Sequence, residues 1–381
     1  MDRLLTISNH IGKNIRQFST STEEVLFEKK GKCLKVLLNR PKALNALNPN
    51  MVKILTPKYL EMKTKKDGEG VIVMKGAGEK AFCAGGDIRA IYDYKQLNEE
   101  QKSKTNDIGD LFFREEYILN NLIGTNPIAQ VSIYNGFAMG GGIGLSVHGK
   151  FRVATENTVF AMPETGIGFF CDVGGSYFLP RLPNNYGMYL ALTGSKLKGN
   201  NVYLAGVATH FVSNEHIQAL EKEIEECENP TSQTINSILT KYHDKSKSTS
   251  NEYNDNLGDI ERIFGKNSVK EIFEQLELLE NSEWAKQTLK TLKSVSPSSL
   301  MVVFEQMKQG AKLPSLAKCL EMEFRISQHF LEKPDFFEGV RALLVDKDKN
   351  PKWLPPSIDQ IDQTLVNSYF KPLSNNKELK F

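Results

Sequence analysis

The chain has 381 residues, 40% of them hydrophobic and 25% charged, with a formal net charge of +2. That length supports one large core plus a second, smaller layer or domain, and no apolar stretch approaches the roughly 18 to 20 residues that span a bilayer. Five cysteines (Cys33, Cys83, Cys171, Cys227, Cys319), widely scattered and without CxxC spacing, exclude a disulfide framework and a zinc site and read as free thiols.

The N-terminal segment places Leu4, Ile7, Ile11, Ile15 and Phe18 at helical spacing, with Arg3, Lys13 and Arg16 between them and Asp2 as its one acid. Residues 1–18 thus have the composition of a mitochondrial presequence, and Arg16-Gln17-Phe18 before Ser19-Thr20 has the form of a processing site. An amphipathic surface helix is the alternative. The three basic residues and one acid of this segment account for the whole +2, so a processed chain is near neutral and lacks the basic excess that nucleic-acid binding calls for.

From Val25 to Leu38 the sequence predicts two strands around Lys30-Gly31, with a turn forced by Asn39-Arg40-Pro41. Asn48-Pro49 has the pattern of an N-cap with proline at the first helical position, ahead of a helix carrying Met51, Ile54 and Leu55. Val71–Met74 and Ile128–Tyr134 are short buried-type strands, the second ending at the turn dipeptide Asn135-Gly136. Between them Ile108, Leu111, Phe112, Leu119 and Leu122 mark a helix that also carries Glu115 and Glu116 within its apolar stretch. Short strands alternating with helices imply an α/β core. No internal sequence repeat is evident. Near 243–256 a run rich in Ser, Asn and Lys reads as a surface loop or linker with almost nothing to bury, and Ile260–Leu344 is mostly helical by pattern, with breaks near Pro297, Pro314 and Pro334. Pattern alone leaves open whether this C-terminal part is a domain or a lid.

Two glycine clusters, CAGGD (Cys83–Asp87) and MGGGIG (Met139–Gly144), each lie after a strand-like run and before a helix-like one. Exposed helix starts there would aim one N–H from each segment at a common spot, as an oxyanion hole does. Tight turns and close helix packing are the other uses of such glycines, and neither cluster has the spacing of a phosphate-binding loop. Downstream, Glu164 and Asp172 stand eight residues apart, at chain reversals, where a carboxylate is either a cap or a base, nucleophile or orienting group.

LNRPKALNAL (Leu38–Leu47), KAFCAGGDI (Lys80–Ile88), NGFAMGGGIGLS (Asn135–Ser146) and AMPETGIGFFCDVGG (Ala161–Gly175) resemble the successive signatures of the crotonase, or enoyl-CoA hydratase/isomerase, superfamily. LTGSKLKGNNVYLAGVATHFV (Leu192–Val212) and DFFEGVRALLVDKDKNPKW (Asp335–Trp353) extend the resemblance to roughly residues 22–355. Within the superfamily the chain is most similar to the thioester hydrolases of valine breakdown, through FFREEYILNN (Phe112–Asn121), SVHGKFRVATE (Ser146–Glu156) and the Glu164/Asp172 pair. Hydratases carry a second catalytic glutamate three residues beyond the middle glycine of the second cluster; Gly144 occupies that position here.

The resemblance implies a ββα spiral over residues 22–210 and a mainly helical C-terminal region over 211–381 that covers the site and packs between subunits. It implies a small-molecule acyl-CoA substrate, with 3-hydroxyisobutyryl-CoA or 3-hydroxypropionyl-CoA hydrolysed to free CoA and the hydroxy acid. No cofactor or metal is implied beyond the CoA of the substrate, and no nucleic-acid or membrane partner; a homo-oligomer in the mitochondrial matrix fits. Carried over residue by residue, the N–H groups of Gly86 and Gly141 form the oxyanion hole and Glu164 is the catalytic carboxylate, as nucleophile or as base for water. Asp172 holds the 3-hydroxyl or assists the water, and Glu116 supports that end of the pocket. CoA would lie along Lys42 and Ala84–Ile88, with Lys347 as a phosphate partner. Cys171 stands where close relatives have proline, which frees an N–H and relaxes φ. The alternatives are an enoyl-CoA hydratase or isomerase and, in another class, a non-catalytic protein of the mitochondrial small ribosomal subunit.

Overall fold

A computed structural model describes residues 23–97, 108–246, 253, 255–374 and 377–381. The expected presequence and most of the expected polar loop lie outside these residues. Ten strands follow in chain order: β1 (Val25–Lys30), β2 (Cys33–Leu38), β3 (Val71–Gly76), β4 (Ala81–Cys83), β5 (Ala129–Tyr134), β6 (Phe137–Met139), β7 (Phe151–Ala154), β8 (Val159–Ala161), β9 (Leu197–Lys198) and β10 (His210–Phe211).

They form a six-stranded sheet in the order β1-β2-β3-β5-β7-β10 and a four-stranded sheet in the order β4-β6-β8-β9. The expected hairpin is the antiparallel pair β1/β2, closed at Lys30 and Cys33. After it the chain repeats one move three times: β3, β5 and β7 enter the large sheet in parallel, and β4, β6 and β8, a few residues later, enter the small sheet in parallel. This is the expected ββα spiral. Its repeat is architectural, because β4, β6 and β8 hold only three residues each and leave no periodic trace in the sequence.

The large sheet is covered on both faces, so β3 opens on an unbroken apolar run, Val71–Met74, and all six residues of β5 are buried. Along β3, Val71 and Val73 point to one cluster and Ile72 and Met74 to the other, the period-two alternation of a strand. The helix after Asn48-Pro49 spans Pro49–Lys63, and the Asn48 side chain accepts the Met51 N–H at 2.8 Å. The Ile108–Gly124 helix packs against it and carries Glu116 inward while Glu115 stays half-buried.

The Asn214–Glu225 and Ser232–Lys245 helices cap the outer face of the large sheet. The second of them runs three residues into the segment expected as loop, and Tyr253 is buried, its ring 4.7 Å from that of Tyr186. The proline breaks stand where expected: Pro297 and Pro334 open the Pro297–Gly310 and Pro334–Val340 helices, and Pro314 separates Pro297–Gly310 from Leu316–Leu331. Residues of these C-terminal helices, Val303, Phe324, Phe330 and Phe336 among them, share one hydrophobic cluster with Phe82, Tyr117 and Phe169 of the spiral.

Candidate active site

The segments singled out in the sequence meet at one edge of the small sheet. CAGGD follows β4, MGGGIG follows β6 and PETG follows β8, so three adjacent parallel strands deliver them at their carboxyl ends. The LNRPKALNAL segment locks the first of these in place. Leu47 N–H donates to Gly85 O at 2.8 Å, Asp87 N–H to Leu47 O at 2.7 Å, Arg40 pairs with Asp87 Oδ2 at 3.0 Å, and the Asn45 amide donates to Ala81 O at 2.8 Å.

Gly86 lies opposite Leu47 in a parallel bridge, three residues before the Arg89–Lys95 helix, and not at a helix start as expected. In such a bridge the bonds are made by the residues flanking Gly86, which turns its own N–H away toward the cavity. Gly141 does open a helix, but one of a single turn, Gly141–Gly144. A Cβ on Gly141 would lie 3.0 Å from Gly86 N and 2.7 Å from Glu116 Oε1, so both expected donors and one carboxyl converge within a few ångströms.

A cavity of about 450 Å³ opens over this spot, lined by Ala84–Arg89, Gly140, Gly141, Glu116, Glu164 and Asp172, with Phe112, Phe113, Ile167, Phe169, Leu343 and Leu344 as an apolar wall. Phe113 and Phe169 stack at 5.3 Å, and Phe169 packs against Phe336 at 5.0 Å, so the C-terminal region closes that wall. Of the expected CoA contacts, Ala84 lines the cavity. Lys42, next to the cavity-lining Ala43, borders a separate pocket beside Ala77–Ala81, and Lys347 is exposed with φ 59°; neither is among the residues lining the cavity. Among the described residues the cation that lines it is Arg89, which the sequence did not mark because one arginine at a helix start has no pattern to set it apart.

Glu116, Glu164 and Asp172 are 1%, 6% and 6% exposed. Burial, followed by the charge of Asp172, holds the carboxyls of Glu116 and Glu164 well above the usual carboxylate range. Asp172 is also raised by burial, to about 7, but the Tyr117 hydroxyl donates to its Oδ2 at 3.0 Å and pulls the other way. Asp172 is therefore the carboxyl of the three that ionises most readily. Glu116 Oε1 and Glu164 Oε2 are buried without a hydrogen-bond partner, and a Cβ on Gly140 would lie 2.9 Å from Glu164 Oε1. Two unmatched carboxyl oxygens beside two free N–H donors form a polar site that an incoming carbonyl, hydroxyl or water can satisfy.

The Asp172 segment is strained. Val173 has φ 50°, a left-handed value that costs a β-branched residue about 1–3 kcal/mol, and Gly174 follows at φ 83°. His148 Nε2 meets Val173 O at 2.7 Å, and Gln306 Nε2 donates to Cys171 O at 2.7 Å. His148, on the turn after the short helix, is thus a support for this backbone, and burial lowers its imidazole to about 4. Cys171 is buried; burial and then the Glu164 charge push its thiol well up, which denies it the thiolate a nucleophile needs. At Gly144 a Cβ would meet Val173 Cβ at 2.6 Å and Asn120 Nδ2 at 2.9 Å, so the position where hydratases carry their second glutamate has no room for a side chain.

Among the described residues no group of three His, Cys, Asp or Glu side chains is placed to hold a metal, and no helix is long and apolar enough to cross a membrane. Tyr117, Gln306 and Glu323 were missed in the sequence; only Tyr117, adjacent to Glu116 on its helix, carried a signal that could have found it.

Comparison with known proteins agrees with this geometry. Over residues 33–370 the chain matches the family described as enoyl-CoA hydratase/isomerase. It is 47% identical to the 3-hydroxyisobutyryl-CoA hydrolase, mitochondrial, of Danio rerio, covering 95% of this chain and 93% of that one, and 44% identical to the protein of the same name from Homo sapiens, covering 100% and 96%. Among solved structures, a carnitinyl-CoA dehydratase from Mycobacterium thermoresistibile superposes with a TM-score of 0.84 at 32% identity, covering 94% of this chain and 99% of that one. An enoyl-CoA hydratase from Rhodobacter sphaeroides 2.4.1 superposes at 0.81 with 29% identity, covering 94% and 100%. Matched by that family over residues 33–370 and 44–47% identical to these two relatives over nearly its whole length, the chain belongs to the enoyl-CoA hydratase/isomerase family.

Proposed function

We infer that the protein hydrolyses 3-hydroxyisobutyryl-CoA to free CoA and 3-hydroxyisobutyrate, a step of valine catabolism. The observation that carries this is the 43–47% identity, over nearly the whole chain, to relatives named for that activity. The site chemistry agrees. A thioester carbonyl seated between the N–H groups of Gly86 and Gly141 would have its developing oxyanion stabilised there, and losing one such donor costs about 10² to 10³ in rate. Glu164 either attacks the carbonyl carbon, giving an anhydride that water then opens to the hydroxy acid and the free Glu164 carboxylate, or takes a proton from the attacking water; in both routes the C–S bond breaks and CoA leaves as the thiol. Asp172, the most readily ionised carboxyl, accepts the 3-hydroxyl, and Glu116 borders the same end of the cavity.

This chemistry calls on no cofactor or metal, since CoA enters with the substrate. Arg89 at the mouth is the cation we assign to its phosphates. A pocket of this kind separates 3-hydroxyisobutyryl-CoA from 3-hydroxypropionyl-CoA, one methyl smaller, by only about 1–3 kcal/mol, so both are expected substrates. The crowding at Gly144 disfavours the hydratase reading, which needs a second carboxylate there. The relatives' names place them in mitochondria, and we assign the present chain there too, in the matrix, as a homo-oligomer.

The test is release of CoA thiol from 3-hydroxyisobutyryl-CoA by the purified chain lacking residues 1–18, with crotonyl-CoA in parallel. Rapid thiol release without hydration of crotonyl-CoA is expected. Hydration or isomerisation of crotonyl-CoA without thiol release would reverse the assignment, and inertness toward both would bring the ribosomal role forward. After single turnovers in oxygen-18 water, label found in the Glu164 carboxyl by mass analysis of the active-site peptide would establish attack by Glu164, with water opening the anhydride at the glutamyl carbonyl.

A further inference from the structure

Asp172 is held from a distance. Glu323, on the Leu316–Leu331 helix, is fully buried, and its carboxylate accepts three hydrogen bonds: Gly174 N–H on Oε2 at 2.7 Å, and Ser176 N–H at 2.9 Å and Ser176 Oγ at 2.5 Å on Oε1. All three donors belong to the segment that follows Asp172, 147 to 149 residues earlier in the chain. The next residue, Phe324, packs edge-on against Tyr117 at 6.3 Å, and Tyr117 is the donor to Asp172. Adjacent residues of one helix therefore reach both supports of the same carboxylate.

We propose that Glu323 is the positioning residue for Asp172, and that by fixing the Gly174–Ser176 backbone it sets the preference for 3-hydroxyacyl over unsubstituted acyl thioesters. The inference rests on the hydrolase reading above and on Asp172 as the acceptor of the 3-hydroxyl. Burial raises the Glu323 carboxyl to about 8 while the three donors pull it down, and three donors facing two oxygens are matched by the carboxylate and not by a glutamine, whose NH2 would meet one of them. What a carboxylate adds is acceptance of all three donors at once. Without it, Val173 and Gly174 can leave their left-handed conformations, and the Asp172 carboxylate turns with them.

The experiment compares kcat/KM for 3-hydroxyisobutyryl-CoA with that for isobutyryl-CoA, which lacks the hydroxyl, in the wild-type chain, Glu323→Gln, Ser176→Ala and Asp172→Asn. In Glu323→Gln one acceptor oxygen becomes a donor facing a donor, and the ratio of the two is expected to fall about tenfold toward the Asp172→Asn value. Ser176→Ala removes one of the three bonds and lowers the ratio about threefold. Equal losses on both thioesters, leaving the ratio at its wild-type value, would make Glu323 a structural residue and overturn the proposal. Should Glu323→Gln fail to fold cooperatively, the Ser176→Ala ratio decides by the same criterion. A wild-type chain that hydrolyses neither thioester, or both without preference, would instead overturn the reading beneath it, and the wild-type arm alone reports that.

Discussion

The two sheets divide the labour of the molecule. The outer face of the six-stranded sheet buries hydrocarbon: Val71, Val73, Val131, Ile133 and Val153 against Ile217, Leu220, Ile224, Ile235 and Leu239. Its charges stay at the rim and are matched, Lys75 with Glu221 at 2.7 Å and Lys35 with Glu225 at 2.6 Å. The carboxyl edge of the four-stranded sheet, and the cavity over it, does the reverse. Glu116, Glu164, Asp172 and Glu323 are all buried; N–H and O–H donors face Asp172 and Glu323, while Glu116 Oε1 and Glu164 Oε2 have no partner. A site of this kind destabilises the fold that carries it, so the hydrocarbon face offsets the cost of a polar, under-satisfied cavity elsewhere in the chain.

Four substitutions probe this division, the strongest first. Glu164→Gln keeps shape but removes nucleophile and base, and thiol release should drop about 10³-fold while thermal unfolding shows no loss of stability. Gly141→Ala places a methyl 3.0 Å from Gly86 N and closes the oxyanion hole; steady-state kinetics should show a loss of about 10²- to 10³-fold, with the effect in kcat as well as KM. Leu220→Ala on the outer face should have the opposite signature: a loss of about 2–5 kcal/mol in urea unfolding, with kcat/KM of the folded protein unchanged. If that substitution also altered kcat/KM, the two sheets would be coupled and the division would fail.

The smallest effect is one of pH. The carboxyl of Glu116 has a higher pKa folded than unfolded, so the folded chain holds that proton more tightly. Its contribution to stability is then best below the unfolded value and worsens as pH rises through and above it. Glu116→Gln should therefore raise the Tm by a few degrees at pH 8 and leave it nearly unchanged at pH 4, as scanning calorimetry at both values can report. Activity runs the other way. Asp172, raised to about 7, and Glu164, raised by burial and then by the Asp172 charge, both act as anions, so kcat/KM for the hydroxylated thioester should fall as pH drops toward and below neutrality.

How far the sequence was legible follows the range of the forces involved. The β1/β2 hairpin, the helix capped by Asn48, the buried strands β3 and β5 and the breaks at Pro297, Pro314 and Pro334 all stand where patterning placed them. Each is decided within a few residues, by alternation, capping or a missing N–H. Gly86, Gly141, Glu164 and Asp172 were legible through the resemblance of their segments, and the structure brings all four to one cavity. Lys42 and Lys347, expected along the CoA, lie outside the residues that line that cavity.

The amino-acid sequence by itself determined the local elements and the chemical inventory: an α/β chain with two glycine clusters and two carboxylates at chain reversals. Only the tertiary structure decided that β4, β6 and β8, too short to read, would stack their carboxyl ends at one edge, and that Glu323 and Gln306 would grip the Asp172 segment from the far end of the chain. The reason is physical. A carboxylate on an amphipathic helix looks like a solvated group until the packing of that helix takes water away, and a contact spanning 147 residues leaves no periodic mark in the sequence it joins.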